Sequence, residues 1–170
     1  AMERQLGTLR RVLVTPTSKA TFLAGTVLGQ VLTAVVQMAI LIGFGGLVLK
    51  LQWGNAPAAT ALIVITSALA AGSLGTMLGT FVKTEAQGNG LSIMIGMVMA
   101  MLGGCWYPIE LFPAFMRSAA QALPTYWSMQ GMLDILVRGQ GITGVLLESA
   151  VLLGFALVFY LIGILRFKYE

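Results

Sequence analysis

Four stretches of this 170-residue chain hold no charged side chain: residues 20–49, 51–82, 86–109 and 149–165. A helix that crosses a bilayer needs about 20 mostly apolar residues. Four such helices fit, at 20–49, 58–82, 87–105 and 142–165. The first is longer than the hydrocarbon core requires, so it tilts or extends into water. Runs this long and this numerous exclude a cleaved signal peptide. The expected class is an all-α membrane protein with one transmembrane domain over residues 1–170.

Composition closes the alternatives. Charged residues are 9% of the chain and apolar residues 58%, whereas a soluble domain carries about 25% charge. A small soluble domain could not cover itself with so few polar side chains. A disordered chain needs the opposite balance. The net charge of +4 comes from scattered cations, which fits membrane topology better than nucleic-acid binding.

Loop charges set the orientation. Arg4, Arg10, Arg11, Lys19, Lys83, Arg166 and Lys168 fall on one side of the four spans; Lys50, Arg117 and Arg138 fall on the other. The positive-inside rule places the first side, with both ends of the segment, in the cytoplasm.

Two segments are not spans. In residues 3–14, Leu6, Leu9 and Leu13 recur at helical spacing, with Arg4, Arg10 and Arg11 elsewhere on the wheel. Thr15-Pro16 breaks the pattern. This predicts a short amphipathic helix on the cytoplasmic face; docking on a partner and lying on the lipid both fit. Residues 106–140 carry Trp106-Tyr107-Pro108, Pro113 and Pro124-Thr125-Tyr126-Trp127. The prolines rule out one continuous helix. Two short helices at 109–122 and 125–138, re-entering the membrane from outside around Pro124, are favoured over an aromatic belt flat on the interface. Asp134 and Arg138 form an i, i+4 pair on the second of them. Glu148, near the outer end of the last span, is expected to reach the headgroups.

Small residues suit close helix packing in lipid: Gly25 and Gly29, then Ala68, Gly72, Gly75 and Gly79, then Gly88, Gly90 and Gly96. Gln30, Thr33 and Gln37 share one face of the first span; they bond between helices or line a substrate path. Met94, Met97, Met99 and Met101 read as core packing or as an adaptable apolar surface.

Enzymatic chemistry finds no support. The chain has no histidine and a single cysteine, so a Ser-His-Asp triad and a cysteine-rich metal site are excluded. There is no phosphate-binding loop of the G-x-x-x-x-G-K-[ST] kind. The spans lack mid-membrane acids for a proton relay or an ion-coupled carrier.

Three places together resemble the permease subunits of ABC-2-type ABC exporters. Glu3-Arg4, Gly7-Thr8-Leu9-Arg10-Arg11 and Thr15-Pro16 look like the family's coupling segment before its third span. Gly103-Gly104-Cys105-Trp106-Tyr107-Pro108, with Glu110 and Pro113, looks like the junction after the fifth. Pro124-Thr125-Tyr126-Trp127, Gly131, Asp134 and Arg138-Gly139 look like the second external re-entrant helix.

The resemblance implies a permease without an ATPase site of its own. ATP and Mg would be bound by a separate ABC ATPase subunit, and a second permease copy or homologue would complete the path. It implies ATPase coupling through Glu3, Arg4, Leu6, Thr8, Leu9, Arg10, Arg11, Thr15 and Pro16. Leu6 and Leu9 would be the apolar anchors, and the arginines the charge partners. It implies an external gate built from Trp106, Tyr107, Pro108, Pro113, Pro124, Tyr126, Trp127 and Asp134. The chain corresponds to the C-terminal half of the family's six-span domain, with the first two spans absent, in a bacterial or archaeal inner membrane. A rival reading is a non-transporting membrane scaffold or assembly subunit. The substrate is not encoded in any of these motifs.

Overall fold

A computed structural model describes residues 18–51, 53–54, 56–82 and 84–166. The amphipathic segment expected at 3–14, and every coupling residue from Glu3 to Pro16, lie outside the described residues. Among the described residues there are six α-helices and no strand. They are α1 (Lys19–Leu47), α2 (Pro57–Phe81), α3 (Glu85–Leu102), α4 (Ala114–Ala120), α5 (Pro124–Leu136) and α6 (Leu146–Arg166). Short 3-10 turns at Ile109–Leu111 and Ile142–Val145 precede α4 and α6.

Local chemistry sets the boundaries. The Ser18 hydroxyl accepts from the Thr21 amide at 3.1 Å and caps α1. Past α1, Lys50 adopts φ 53°, a left-handed conformation uncommon outside glycine. The Leu51 amide then turns back to the Gly45 carbonyl at 3.0 Å. Pro57 opens α2, where its missing N–H costs no helical bond. Thr84 caps α3 through the Gln87 amide, and Glu85 sits favourably in its first turn. α3 ends at Leu102 rather than at 105, because Gly103 and Gly104 turn the chain, with Gly104 at φ 86°.

Three stretches are long and apolar enough to cross a bilayer: Ala20–Leu47, Pro57–Phe81 and Ile142–Arg166. The sequence reading expects a fourth, and α3 occupies its place. α3 is 18 residues long, about 27 Å at 1.5 Å per residue. Glu85, Gln87 and Asn89 make its first turns polar and leave a short apolar run.

α2 is the central helix, with buried residues around most of its circumference, from Ala59 and Thr60 to Ser73 and Thr76. α6 runs parallel to it. Ala59 clusters with Val145, and Ala70 with Leu152 and Ala156. Further along, Gly163 admits Met77, whose Cα lies 3.7 Å from a Cβ built on the glycine. At the far end the Arg166 guanidinium lies 5.5 Å from the Phe81 ring centroid. The two helices therefore keep step over their whole length.

α1 packs antiparallel on α2. Gln30 lies against Gly72 and Gly75, and the Trp53 ring presses on Gly45. The Tyr160 hydroxyl donates to the Ala20 carbonyl at 2.7 Å, tying α6 to α1. Leu23 and Val27 are buried, but the opposite face of α1 is bare. Leu28, Leu32, Ile40, Leu41 and Leu47 are each more than 60% exposed. Such a face would be costly in water; lipid tails solvate it without penalty.

Two expectations about packing change. Gly25, Gly29, Gly79, Gly90 and Gly96 have no neighbour within 4 Å of an added Cβ, so among the glycines expected to pack closely only Gly72 and Gly75 on the α2 face and Gly88 beside Val82 do so. The α3 methionines are not core. No residue of α3 is buried, and Met94 and Met97 are more than half exposed. Helical spacing reveals a shared face but not whether a neighbour covers it.

Candidate functional site

The chain between α3 and α6 folds as a hairpin set into the helix bundle. Leaving α3, the Cys105 amide returns to Ala100 at 3.0 Å, and Pro108 starts the 3-10 turn. Pro113 precedes α4, and Pro124 opens α5. Each proline sits where its fixed φ and missing donor are harmless. The helices are shorter than the 109–122 and 125–138 of the sequence reading, because both turns consume residues.

The depth of α5 follows from what its side chains reach. Ile135, near its end, packs with Ala59, Ile63 and Val145 at the start of α2 and α6. Trp127, near its beginning, packs on the Ala70, Leu152 and Ala156 cluster. The Ser67 hydroxyl donates to Ser128 at 2.8 Å. Ser67 lies ten residues past Pro57, about 15 Å along α2. Hence α5 runs antiparallel to α2, from its middle back to its start. A belt lying across the bundle end would not reach that level.

Three polar ties fix α5. The Thr125 hydroxyl donates to the Met99 carbonyl at 2.7 Å, an acceptor near the end of α3 that also takes the Gly103 amide at 2.8 Å. Ser128 meets Ser67 on α2. Trp127 Nε1 donates to the Gln121 carbonyl at 2.8 Å, closing the turn between α4 and α5, and its ring stands edge-on to Tyr126. Thr125→Val, which keeps shape and removes the donor, is expected to lower stability by about 0.6–1 kcal/mol, read as a lower thermal midpoint of the full-length protein in nanodiscs.

Asp134 is buried and forms an ion pair with Arg138, whose other nitrogen reaches Gln130 Oε1 at 3.3 Å. The hydrogen bond and charge of Asp134, with a weaker contribution from Glu110, push the Arg138 guanidinium still higher, so it is a fixed cation. Glu148 departs from expectation. It does not reach outward but is 8% exposed, with its Cβ beside Gly131, and its Oε2 has no hydrogen-bond partner among the described residues. Gly131 on α5 leaves the room that α6 needs to bring this carboxylate inward.

The residues proposed from sequence as a gate divide into two groups. Pro124, Tyr126, Trp127 and Asp134 all belong to α5. Trp106, Tyr107 and Pro108 face it across a cavity of about 310 Å³ shared with Met129, Gln130 and Leu133. Pro113 is exposed at the start of α4 and joins neither. Gln30, Thr33 and Gln37 do not converge. Only Gln30 meets another helix; Thr33 donates back to the Gly29 carbonyl at 2.9 Å, and Gln37 is exposed.

Residues 1–165 match the family described as ABC-2 family transporter protein. The chain belongs to that family. It is 30% identical over 161 residues to the linearmycin resistance permease protein LnrN of Bacillus subtilis (strain 168), covering 95% of this chain and 42% of that protein. It is 26% identical over 168 residues to the inner membrane transport permease YhhJ of Escherichia coli (strain K12), covering 98% of this chain and 45% of that one. The ABC-2 permease chain thus spans about half the length of the curated relatives it matches. No solved structure is significantly similar to it.

In this ABC-2 permease the polar groups that do converge are others. Ser67 on α2, Ser92 on α3, and Thr125 and Ser128 on α5 line a mostly apolar crevice of about 260 Å³ with Leu74, Ile95 and Met99. The i, i+3 spacing of Thr125 and Ser128 was the available signal, but their partners lie in distant segments. Among the described residues no group of three or more His, Cys, Asp or Glu stands ready to hold a metal ion.

Proposed function

We propose that the full protein is the permease subunit of an ATP-driven exporter and forms the membrane path. It docks on a separate ATPase subunit, which binds ATP and Mg, and pairs with a second copy or a homologue. The segment 3–14 is the docking helix. α3 is a fourth crossing helix: α2 and α6 run parallel, so the chain between them must return across the bundle. Both ends of the segment then face the cytoplasm, and the α4–α5 hairpin is the outer gate. The crevice lining favours a largely apolar substrate.

One observation carries the gate assignment. α5 reaches the middle of α2, where its polar ties are single hydrogen bonds, from Thr125 to the Met99 carbonyl of α3 and from Ser67 of α2 to Ser128, beside the Trp127 packing. Bonds of this kind contribute on average about 0.6 kcal/mol in membranes, so the tip can detach and reseat as the ATPase pair closes and opens.

The coupling assignment is tested with Leu9→Asp plus Arg10→Glu in the full-length protein. ATPase co-purification and ATP-dependent export are both expected to fall at least tenfold. If both persist, the assignment is wrong. If the wild type retains the ATPase but drives no export of any apolar substrate, the protein is a scaffold.

A further inference from the structure

A second cavity of the hairpin differs from the rest of this apolar protein. It is an open hollow of about 450 Å³ between α4 and α5, lined by Glu110, Arg117, Gln121, Tyr126, Gln130 and Arg138 among others. Its walls are the polar faces of two helices. Arg117 lies on α4 and Gln121 caps its end; Tyr126 and Gln130 are four apart on α5, and Arg138 lies in the turn just beyond it. Two facing polar stripes that served only to close the hairpin would bond to each other. These hold a cavity open instead.

Two of the charges make no direct pair, although Glu110 lies near enough to act on Arg138. Arg138 is committed to Asp134 and Gln130. Arg117 and Glu110 line the same cavity, yet neither makes an ion pair or a side-chain hydrogen bond among the described residues. Opposite charges held apart on one cavity complement a ligand that carries both signs. Arginine matches phosphate with two parallel N–H donors, and a carboxylate accepts from a primary ammonium.

We propose that this cavity binds a phosphate–ammonium zwitterion, with Arg117 and the Tyr126 hydroxyl donating to the phosphate and Glu110 accepting from the ammonium. The bilayer offers this chemistry as a phosphatidylethanolamine headgroup; free phosphoethanolamine offers it in water.

The test uses the full-length permease with its ATPase, reconstituted in phosphatidylcholine nanodiscs containing equal minor amounts of phosphatidylethanolamine and phosphatidylglycerol. Retained lipid is counted by native mass spectrometry. The wild type is expected to retain the ethanolamine lipid over the glycerol lipid. Glu110→Gln should lower ethanolamine-lipid retention about tenfold and leave the glycerol lipid unchanged or raised, which reverses the preference. Arg117→Gln should lower both; Arg117→Lys should keep part of the binding. Both positions are exposed, and the thermal midpoint checks that each variant folds. Glu110→Asp, which keeps the charge, should restore the preference. In a parallel arm, phosphoethanolamine is titrated into permease in pure phosphatidylcholine discs. Glu110-dependent binding there, without lipid preference, supports the site and assigns it to a soluble zwitterion. An unchanged lipid ratio in folded Glu110→Gln, with no phosphoethanolamine binding, overturns the proposal.

Discussion

Oxidising a Ser67→Cys/Ser128→Cys variant of the full-length permease, with the exposed Cys105 replaced by alanine, is expected to stop export; reduction should restore it. The two hydroxyl oxygens are 2.8 Å apart, so thiols at these positions lie within disulfide reach. The wild-type tie is one hydrogen bond, worth about 0.6 kcal/mol in a membrane setting, and a covalent bond replaces it. If α5 must leave the middle of α2 for substrate to pass, the bond holds the path shut. Export should then fall by more than tenfold in step with the cross-linked fraction, while ATPase co-purification stays normal. Full cross-linking with undiminished export would show that α5 and α2 do not separate there, and the gate would have to lie elsewhere.

Gly131→Val should produce a large loss of stability in the hairpin. A Cβ built on Gly131 stands 3.0 Å from Ile63 Cγ1, closer still to Ile63 Cδ1, and 3.5 Å from Glu148 Cβ. Valine adds three carbons at the contact between α2, α5 and α6. Overpacking of this kind costs about 1–3 kcal/mol. The buried Glu148 closes the other side through its Cβ. A thermal midpoint several degrees lower is expected, with α5 displaced from Ile63. Ile63→Ala in the same protein should recover part of the loss by making room. An unchanged midpoint for Gly131→Val would mean that the helices adjust freely, contrary to the close packing of Ala59, Ile63 and Ile135.

Much of this architecture is legible in the amino-acid order, for reasons that differ by element. Ala20–Leu47, Pro57–Phe81 and Ile142–Arg166 stand out because lipid tolerates charge poorly along a whole helix. The hairpin turns stand out because Pro113 and Pro124 forbid helix continuation on their N-terminal side. What escapes such reading depends on residues distant in sequence. Ser67 and Ser128 meet across 61 positions. Glu148 is drawn inward because a glycine on another helix vacates space. Gln30, Thr33 and Gln37 share a face by spacing, but of the three Gln30 is the one that lies against α2. The α3 methionines have the composition of a core without its neighbours.

The parallel pairing of α2 and α6 has a mechanical consequence. From the Ala59–Val145 cluster to Phe81 and Arg166, each step on one helix has its counterpart on the other. Two rods laminated along their length resist bending far more than either alone. A push delivered where Arg166 covers Phe81 therefore arrives at the hairpin end as a translation, not as a curve. The pair is built as a stiff beam, against which the proposed gate on α5 would move.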